Sequence, residues 1–282
     1  MGRGNSPQRK LAVIVEKEKY SFSKLSTFNQ CKYQYYLNYI EKRKGEDNAF
    51  SQYGTFVHSI LERHAKGELA VYELLDVYRD EYDKMVTHDF PPNKYVDLAE
   101  SYYHDGYEFL KNFDGLDELE VLGVETRFKE PLDDFYYTGV IDLTYKDQDG
   151  GIVVQDWKSK SKFANKAEQN KYARQPLSYG LHIIRKYKTP PKTLRFYMFR
   201  KQGIIDIPFT TQEYENALGW VKDTVKEIRE CKDWSATPDK FFCDELCNFR
   251  DTCEFKGGET KRTSTATKSK KPRKNSVTTQ PA

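Results

Sequence analysis

Between Ser21 and Tyr36 the apolar positions recur at steps of three and four: Leu25, Phe28, Cys31 or Lys32, Tyr35 and Tyr36. That spacing is one helical face, with Ser21 or Ser23 available as its cap. A charged connection over 41–50 leads to a second helix over 51–66, with Phe56, Val57, Ile60 and Leu61 facing inward. Two more helical stretches follow near 70–87 and 97–113, both rich in Tyr and Leu. The period then changes. Leu119–Lys129 alternates as a strand, and Tyr136–Tyr145 and Ile152–Lys158 are β-rich runs joined by Lys146-Asp147-Gln148-Asp149-Gly150-Gly151. A polar turn between two such runs predicts a hairpin. A helix over about 166–187 comes next, then a second β pair, Thr193–Arg200 and Ile204–Phe209, around Gln202-Gly203. A last amphipathic helix over 211–231 leads into a cysteine-bearing loop at 243–253.

With 282 residues, 17 Phe and 21 Tyr, the chain can bury a sizeable core as one large domain, placed here at 20–256. Residues 1–19 read as a flexible arm, and residues 257–282, rich in Lys, Thr, Ser and Pro, as a disordered basic tail. The net charge of +3 is uneven: the tail carries +6 and the rest −3. No stretch approaches the roughly 18 apolar residues of a membrane span, and the polar start is no secretory signal. Five cysteines without such a signal argue for a reducing compartment, where clustered thiols bind metal more often than they form disulfides.

Centring the turn on residue 149 sets Asp142 opposite Asp156. Directly opposed residues in a hairpin have Cβ atoms about 4.5–5.5 Å apart, so two carboxylates there repel unless a cation lies between them. Alternation puts Lys158 on the face of Asp156. Two acids and a lysine suit metal-assisted phosphodiester hydrolysis: oxygen ligands hold Mg²⁺ or Mn²⁺, and the ammonium serves the attacking water. Without a metal, the same residues read as a surface hairpin with an ordinary Asp156–Lys158 ion pair. Other segments tip the balance. His58 and Glu62 stand at i, i+4 on one helix face, Glu125 lies on the strand before the hairpin, and Gln175 and Tyr179 share a face of the helix after it.

Gly54…His58, Glu125, Gly139-Val140-Ile141-Asp142, Asp156-Trp157-Lys158 and Gln175…Tyr179, in this order, resemble the PD-(D/E)XK nuclease superfamily, in particular its RecB-like branch. The resemblance implies a restriction-endonuclease-like α/β (α+β) fold: a central mixed sheet flanked by helices, an N-terminal helical region, a helical insertion over about 67–115 and a C-terminal cysteine clasp. It implies that Asp142 and Asp156 bind the divalent metal and that Lys158 serves the water. His58 and the backbone carbonyl of Trp157 become further metal ligands, Glu125 an additional acid, and Gln175 and Tyr179 supports for the lysine that touch DNA. No Pro precedes the Asp142 segment, a departure from the motif that leaves the carboxylate in place.

Cys243, Cys247 and Cys253 follow a C-x₃-C-x₅-C spacing, and Cys31 on the first helix is the natural fourth ligand, leaving Cys231 as a spare thiol. Soft thiolates select zinc or iron–sulfur. The resemblance to cluster-bearing helicase–nucleases and CRISPR-associated nucleases implies a structural 4Fe–4S cluster, with Zn²⁺ as the alternative because the C-x₃-C step is one residue longer than usual. The resulting expectation is a Mg²⁺- or Mn²⁺-dependent DNA exonuclease acting on ends or single strands in recombination, repair or replication. A helicase or recombination protein is an expected partner, and the cytoplasm of a bacterial or phage-infected cell is the expected setting, with the basic tail also compatible with a nucleus. A different class, a non-catalytic DNA-binding or scaffold subunit of a helicase, recombination or CRISPR-adaptation complex, shares the fold. A structure-specific endonuclease shares the chemistry.

Overall fold

A computed structural model describes residues 17–255 apart from Gln202. The expected basic tail and most of the expected arm lie outside the described residues. The arm ends earlier than expected, because Lys19–Ser21 forms a strand, β1. Then come α1 (Phe22–Gln30), α2 (Lys32–Tyr35) with a π-helical turn over Tyr36–Ile40, α3 (Ala49–Ala65), α4 (Leu74–Met85) and α5 (Leu98–Lys111). Strands β2 (Glu120–Leu132), β3 (Phe135–Lys146) and β4 (Ile152–Lys158) follow, then α6 (Lys166–Tyr187), β5 (Thr193–Met198), β6 (Gly203–Pro208) and α7 (Thr211–Glu230). This is a mixed α/β fold with a central mixed sheet flanked by helices. The first helical run is broken where the sequence pattern runs on. Cys31 is extended (φ −159°, ψ 113°) and separates α1 from α2.

The helices start where capping side chains allow. Ser21 accepts the Lys24 N–H, Asn48 and Ser51 cap α3 reciprocally, and Asn165 and Thr210 accept from Glu168 and Glu213. Each satisfies a backbone donor that a helix end leaves unpaired. Two apolar layers sandwich the sheet. On one side Phe28, Tyr137, Val154, Leu177 and Val221 join α1, α6 and α7 to the strands. On the other, Phe56, Tyr78, Phe109, Val153 and Trp157 pack α3, α4 and α5 against it, so the 67–115 segment contributes to this core layer. Ile152–Trp157 is buried throughout, apolar except for Gln155 and Asp156. Among the described residues no helix is long and apolar enough to cross a membrane.

The sheet's central strand makes the site. β3 pairs along its length with antiparallel β2. Its other edge is shared: β1 pairs in parallel with Tyr136–Thr138, and β4 pairs antiparallel only from Leu143↔Gln155 to Lys146↔Ile152. Gly139–Asp142 therefore border a fork, while β4 runs on beside β5 as far as Lys158↔Met198. The strand faces also change allegiance here. Tyr137 and Ile141 pack in the α6–α7 layer, but Leu143 and Tyr145, of the same parity, pack in the α3–α5 layer. On β2 the residue at this point, Glu125, has φ of +45°, an uncommon conformation for a non-glycine.

Candidate active site

In the fork, the Asp142 side chain replaces the missing ladder bond: its Oδ2 accepts the Trp157 N–H at 2.9 Å. The hairpin register continues the expected opposition of Asp142 and Asp156, but regular pairing stops one step short of the two acids. Asp156, only 7% exposed, forms an ion pair with Lys158 at 2.6 Å. Lys158 Nζ also donates to Gln175 Oε1 at 3.3 Å, and Gln175 Nε2 donates to the Tyr179 hydroxyl at 3.2 Å. α6 thus fixes the lysine through a two-step relay from one helix face.

From the opposite layer α3 delivers His58. Its Nε2 lies 2.9 Å from the Trp157 carbonyl oxygen and its Nδ1 lies 3.7 Å from Asp142 Oδ2. His58, Glu125 and Asp142 each offer a ligand atom, all within 4.8 Å of one another. Glu125 falls between the β2 partners of Leu143 and Ile141, which places it opposite Asp142. Glu62, one turn after His58, adds negative charge to this side and is itself paired with Lys66.

The electrostatics follow from burial of like charges. Burial first, then the neighbouring Asp142, push Asp156 up to about 6 against the pull of Lys158. Burial also raises Asp142, opposed by Lys158 and the Trp157 N–H. Glu125 is pushed up to about 7 by burial, Asp142 and Glu62, with Lys66 and Arg127 acting the other way. Burial lowers His58 to about 4, so the ring is neutral and offers a lone pair. Burial works against the Lys158 ammonium, but Asp156 and Asp142 outweigh it and hold the lysine above its ordinary value. Three carboxylates against one buried ammonium form an arrangement that a divalent cation would complete.

The donor set fits such a cation. Mg²⁺ holds ligands at about 2.0–2.1 Å in an octahedron, so neighbouring ligand atoms stand about 3 Å apart. His58 Nε2 and the Trp157 oxygen, in hydrogen-bond contact at 2.9 Å, stand about that far apart. Asp156 Oδ2, buried, has no partner in hydrogen-bond geometry despite its ionic contact with Lys158.

Every residue singled out around the hairpin comes to this fork. The sequence reading missed Arg127, which lines the same cleft as Asp142 and Gln175. Its signal was available: two residues beyond Glu125, it shares that residue's strand face. Lys160, just beyond β4, is held by Glu168 at 3.0 Å.

The cysteine segment sits apart from the fork. Cys31, Cys243, Cys247 and Cys253 all line one small apolar cavity together with Leu37, Phe242 and Phe249. No three of their sulfurs lie within 4.8 Å of one another. Burial pushes the Cys247 thiol up to about 11. The loop is sewn to the N-terminal helices by Asn248, which accepts from Gln34 and donates to Asn38, and by the Asn48 amide on the Leu246 carbonyl. Cys231 donates to the Asp233 carbonyl elsewhere.

A forked mixed sheet with acids and a lysine on adjoining strand ends defines a metal-dependent nuclease fold. The sequence signature of the PD-(D/E)XK nuclease superfamily matches residues 19–254, and the chain belongs to that superfamily. Similar solved structures include a "Putative exonuclease" from Eubacterium rectale, with 14% identity and a TM-score of 0.46, covering 81% of this chain and 86% of that one. Another is SSO0001, with 14% identity and a TM-score of 0.33, covering 72% and 96%. No curated protein matches the chain.

Proposed function

We propose that this protein is a DNA exonuclease of the RecB-like branch, dependent on Mg²⁺ or Mn²⁺ and acting on DNA ends or single strands in recombination, repair or replication. The observation that carries the reading is the convergence of Asp142, Asp156, Glu125 and His58 on the strand fork, with Lys158, among the described residues, the ammonium facing them. Asp142, Asp156, His58, the Trp157 carbonyl and Glu125 would hold the metal. When bound, it supplies a Lewis acid for the phosphate and lowers the pKa of a coordinated water. Asp156 and Asp142 favour the Lys158 ammonium, whose part would be to orient the attacking water or help generate it. Gln175 and Tyr179 set its direction. The test is a time course on end-labelled single- and double-stranded DNA with each metal. Progressive shortening from an end is expected, with none in Asp156→Ala; unchanged cleavage by that variant would end the proposal. A protein inert on every DNA with both metals would favour a scaffold role, and internal cuts would favour an endonuclease.

The second part of the reading is a structural 4Fe–4S cluster on Cys31, Cys243, Cys247 and Cys253. Its support is the shared cavity and the broken helix that presents Cys31. Around one zinc, thiolates at 2.3 Å place their sulfurs about 3.8 Å apart. A cluster seats each thiolate on a different iron and so calls for a wider spacing than a single zinc does. The resulting bridge closes the chain from Cys31 to Cys253, restricting the unfolded state. Anaerobically purified protein should be brown and contain iron and sulfide, both lost in Cys247→Ser. A colourless protein with stoichiometric zinc would reverse the assignment.

A further inference from the structure

Gln175, which steers Lys158, belongs to a face of α6 that continues in both directions, through Lys171 and Tyr172 on one side and Tyr179 on the other. α1 runs opposite this face, and two cavities follow each other between the two helices. One, of about 520 Å³, is lined by Ser21, Ser23, Arg127, Thr138, Asp142 and Gln175. The other, of about 540 Å³, is lined by Ser26, Gln30, Gln34, Asn38, Lys171 and Tyr172, and reaches Asn248 of the cysteine loop. The proposed reacting centre borders the first of them through Asp142 and Gln175.

The two arms differ in chemistry. In the first, Arg127 is exposed and makes no hydrogen bond or ion pair among the described residues, although it stands two positions from Glu125 on the same strand. A guanidinium so placed is a ready partner for a backbone phosphate. The second arm is a run of amides. Gln34 donates to Asn248 at 2.8 Å and Asn248 donates to Asn38 at 3.0 Å, which fixes three side chains. Gln34 Oε1, Asn38 Nδ2 and the side-chain amide of Gln30 have no hydrogen-bond partner among the described residues. Tyr172 offers a ring between Lys158 (5.7 Å) and Lys160 (5.3 Å). Among the described residues Lys171 is the arm's one basic lining residue, whereas Glu46 and Asp47 border it. Duplex DNA presents a backbone charge every 1.7 Å or so and would meet acids there. Unpaired bases instead take amides on their edges and an aromatic ring on their face.

We propose that the α1–α6 groove is a track for a single strand, with unpaired bases in the amide arm and a backbone phosphate on Arg127 across the reacting centre. The proposal rests on the nuclease reading for its substrate class and adds that the strand is unpaired along the amide arm. It is tested with the full chain carrying Asp156→Asn, in EDTA, by anisotropy of a labelled 20-mer single strand and of the same sequence as a blunt duplex over a salt series. The single strand should bind at least tenfold more tightly. Gln30→Ala, which breaks no internal hydrogen bond, should weaken single-strand binding several-fold, with the salt slope and duplex binding unchanged. Arg127→Ala should weaken single-strand binding and lower the salt slope by about 0.7, the share of one phosphate. Equal binding of strand and duplex, or both variants binding like the parent, overturns the track. If the unsubstituted chain still cleaves DNA in that case, the nuclease reading stands alone. Binding that weakens as described, with no cleavage by the unsubstituted chain, keeps the track and removes the nuclease.

Discussion

Asp156→Asn should stabilise the metal-free protein. Asp156 is raised from an ordinary 3.8 to about 6 in the fold. Each unit corresponds to about 1.4 kcal/mol, so its ionised form costs the native state about 3 kcal/mol at neutral pH. The sign follows from proton counting. Below the unfolded value both states hold the proton and no cost is felt. As pH rises from 3.8 through about 6, the unfolded chain releases it first and stability falls. Asparagine removes that dependence. His58, lowered to about 4, contributes the opposite slope, gaining stability as pH rises toward its ordinary 6.5, but it is present in both proteins and largely drops out of their difference. The competing effect is the broken Asp156–Lys158 pair, since removing one partner of a buried pair commonly costs 3–5 kcal/mol by stranding a charge. Here the lysine is not stranded: Asp142 still favours its charge and Gln175 still accepts from it. Stabilisation therefore wins. Guanidinium denaturation in EDTA should show no difference near pH 4 and a variant more stable by about 3 kcal/mol at pH 7.5. Saturating Mn²⁺ should close the gap, because metal at a hundred times its dissociation constant adds about 2.7 kcal/mol to the parent. A variant less stable than the parent at pH 7.5 would refute the charge accounting.

Three further outcomes follow from the same geometry. Metal must displace the proton that Glu125 keeps up to about pH 7, so Mn²⁺ affinity measured calorimetrically should be at least about tenfold higher at pH 8 than at pH 6; a flat profile would remove Glu125 from the ligand set. Gln175→Ala frees the Lys158 ammonium, and kcat on labelled DNA should drop on the order of tenfold with KM little changed, as expected when a reacting group loses its orientation. Gly139→Ala would place a methyl 2.6 Å from the Phe128 ring and 2.7 Å from Tyr179, and denaturation should register about 1–3 kcal/mol of overpacking.

Much of the architecture was legible as periodicity. α3, α6 and α7 begin and end within a residue or two of the ranges their apolar stripes predict, because their caps lie in the sequence beside those stripes. The hairpin register was legible too: the turn fixes which residues face each other, and the ladder from Lys146↔Ile152 to Leu143↔Gln155 follows it. The break at Cys31 was not, since its neighbours continue the helical spacing and only the distant loop at 243–253 gives the thiol a reason to leave it. β1 was missed because three residues carry no period; its pairing with Tyr136–Thr138 is set by chain contacts more than a hundred residues apart.

The sequence by itself determined the element order, the turn that opposes Asp142 to Asp156, and the chemical types available at the site. These are local properties, fixed by side-chain spacing and by residues that cap or turn the chain. Tertiary structure alone decided that β1 and β4 divide one edge of β3, that β3 changes faces at the fork, and that α3 and α6 bring His58 and Gln175 to it from opposite layers. A strand's alternation says which residues share a face, but which layer that face meets depends on partners that only folding brings alongside.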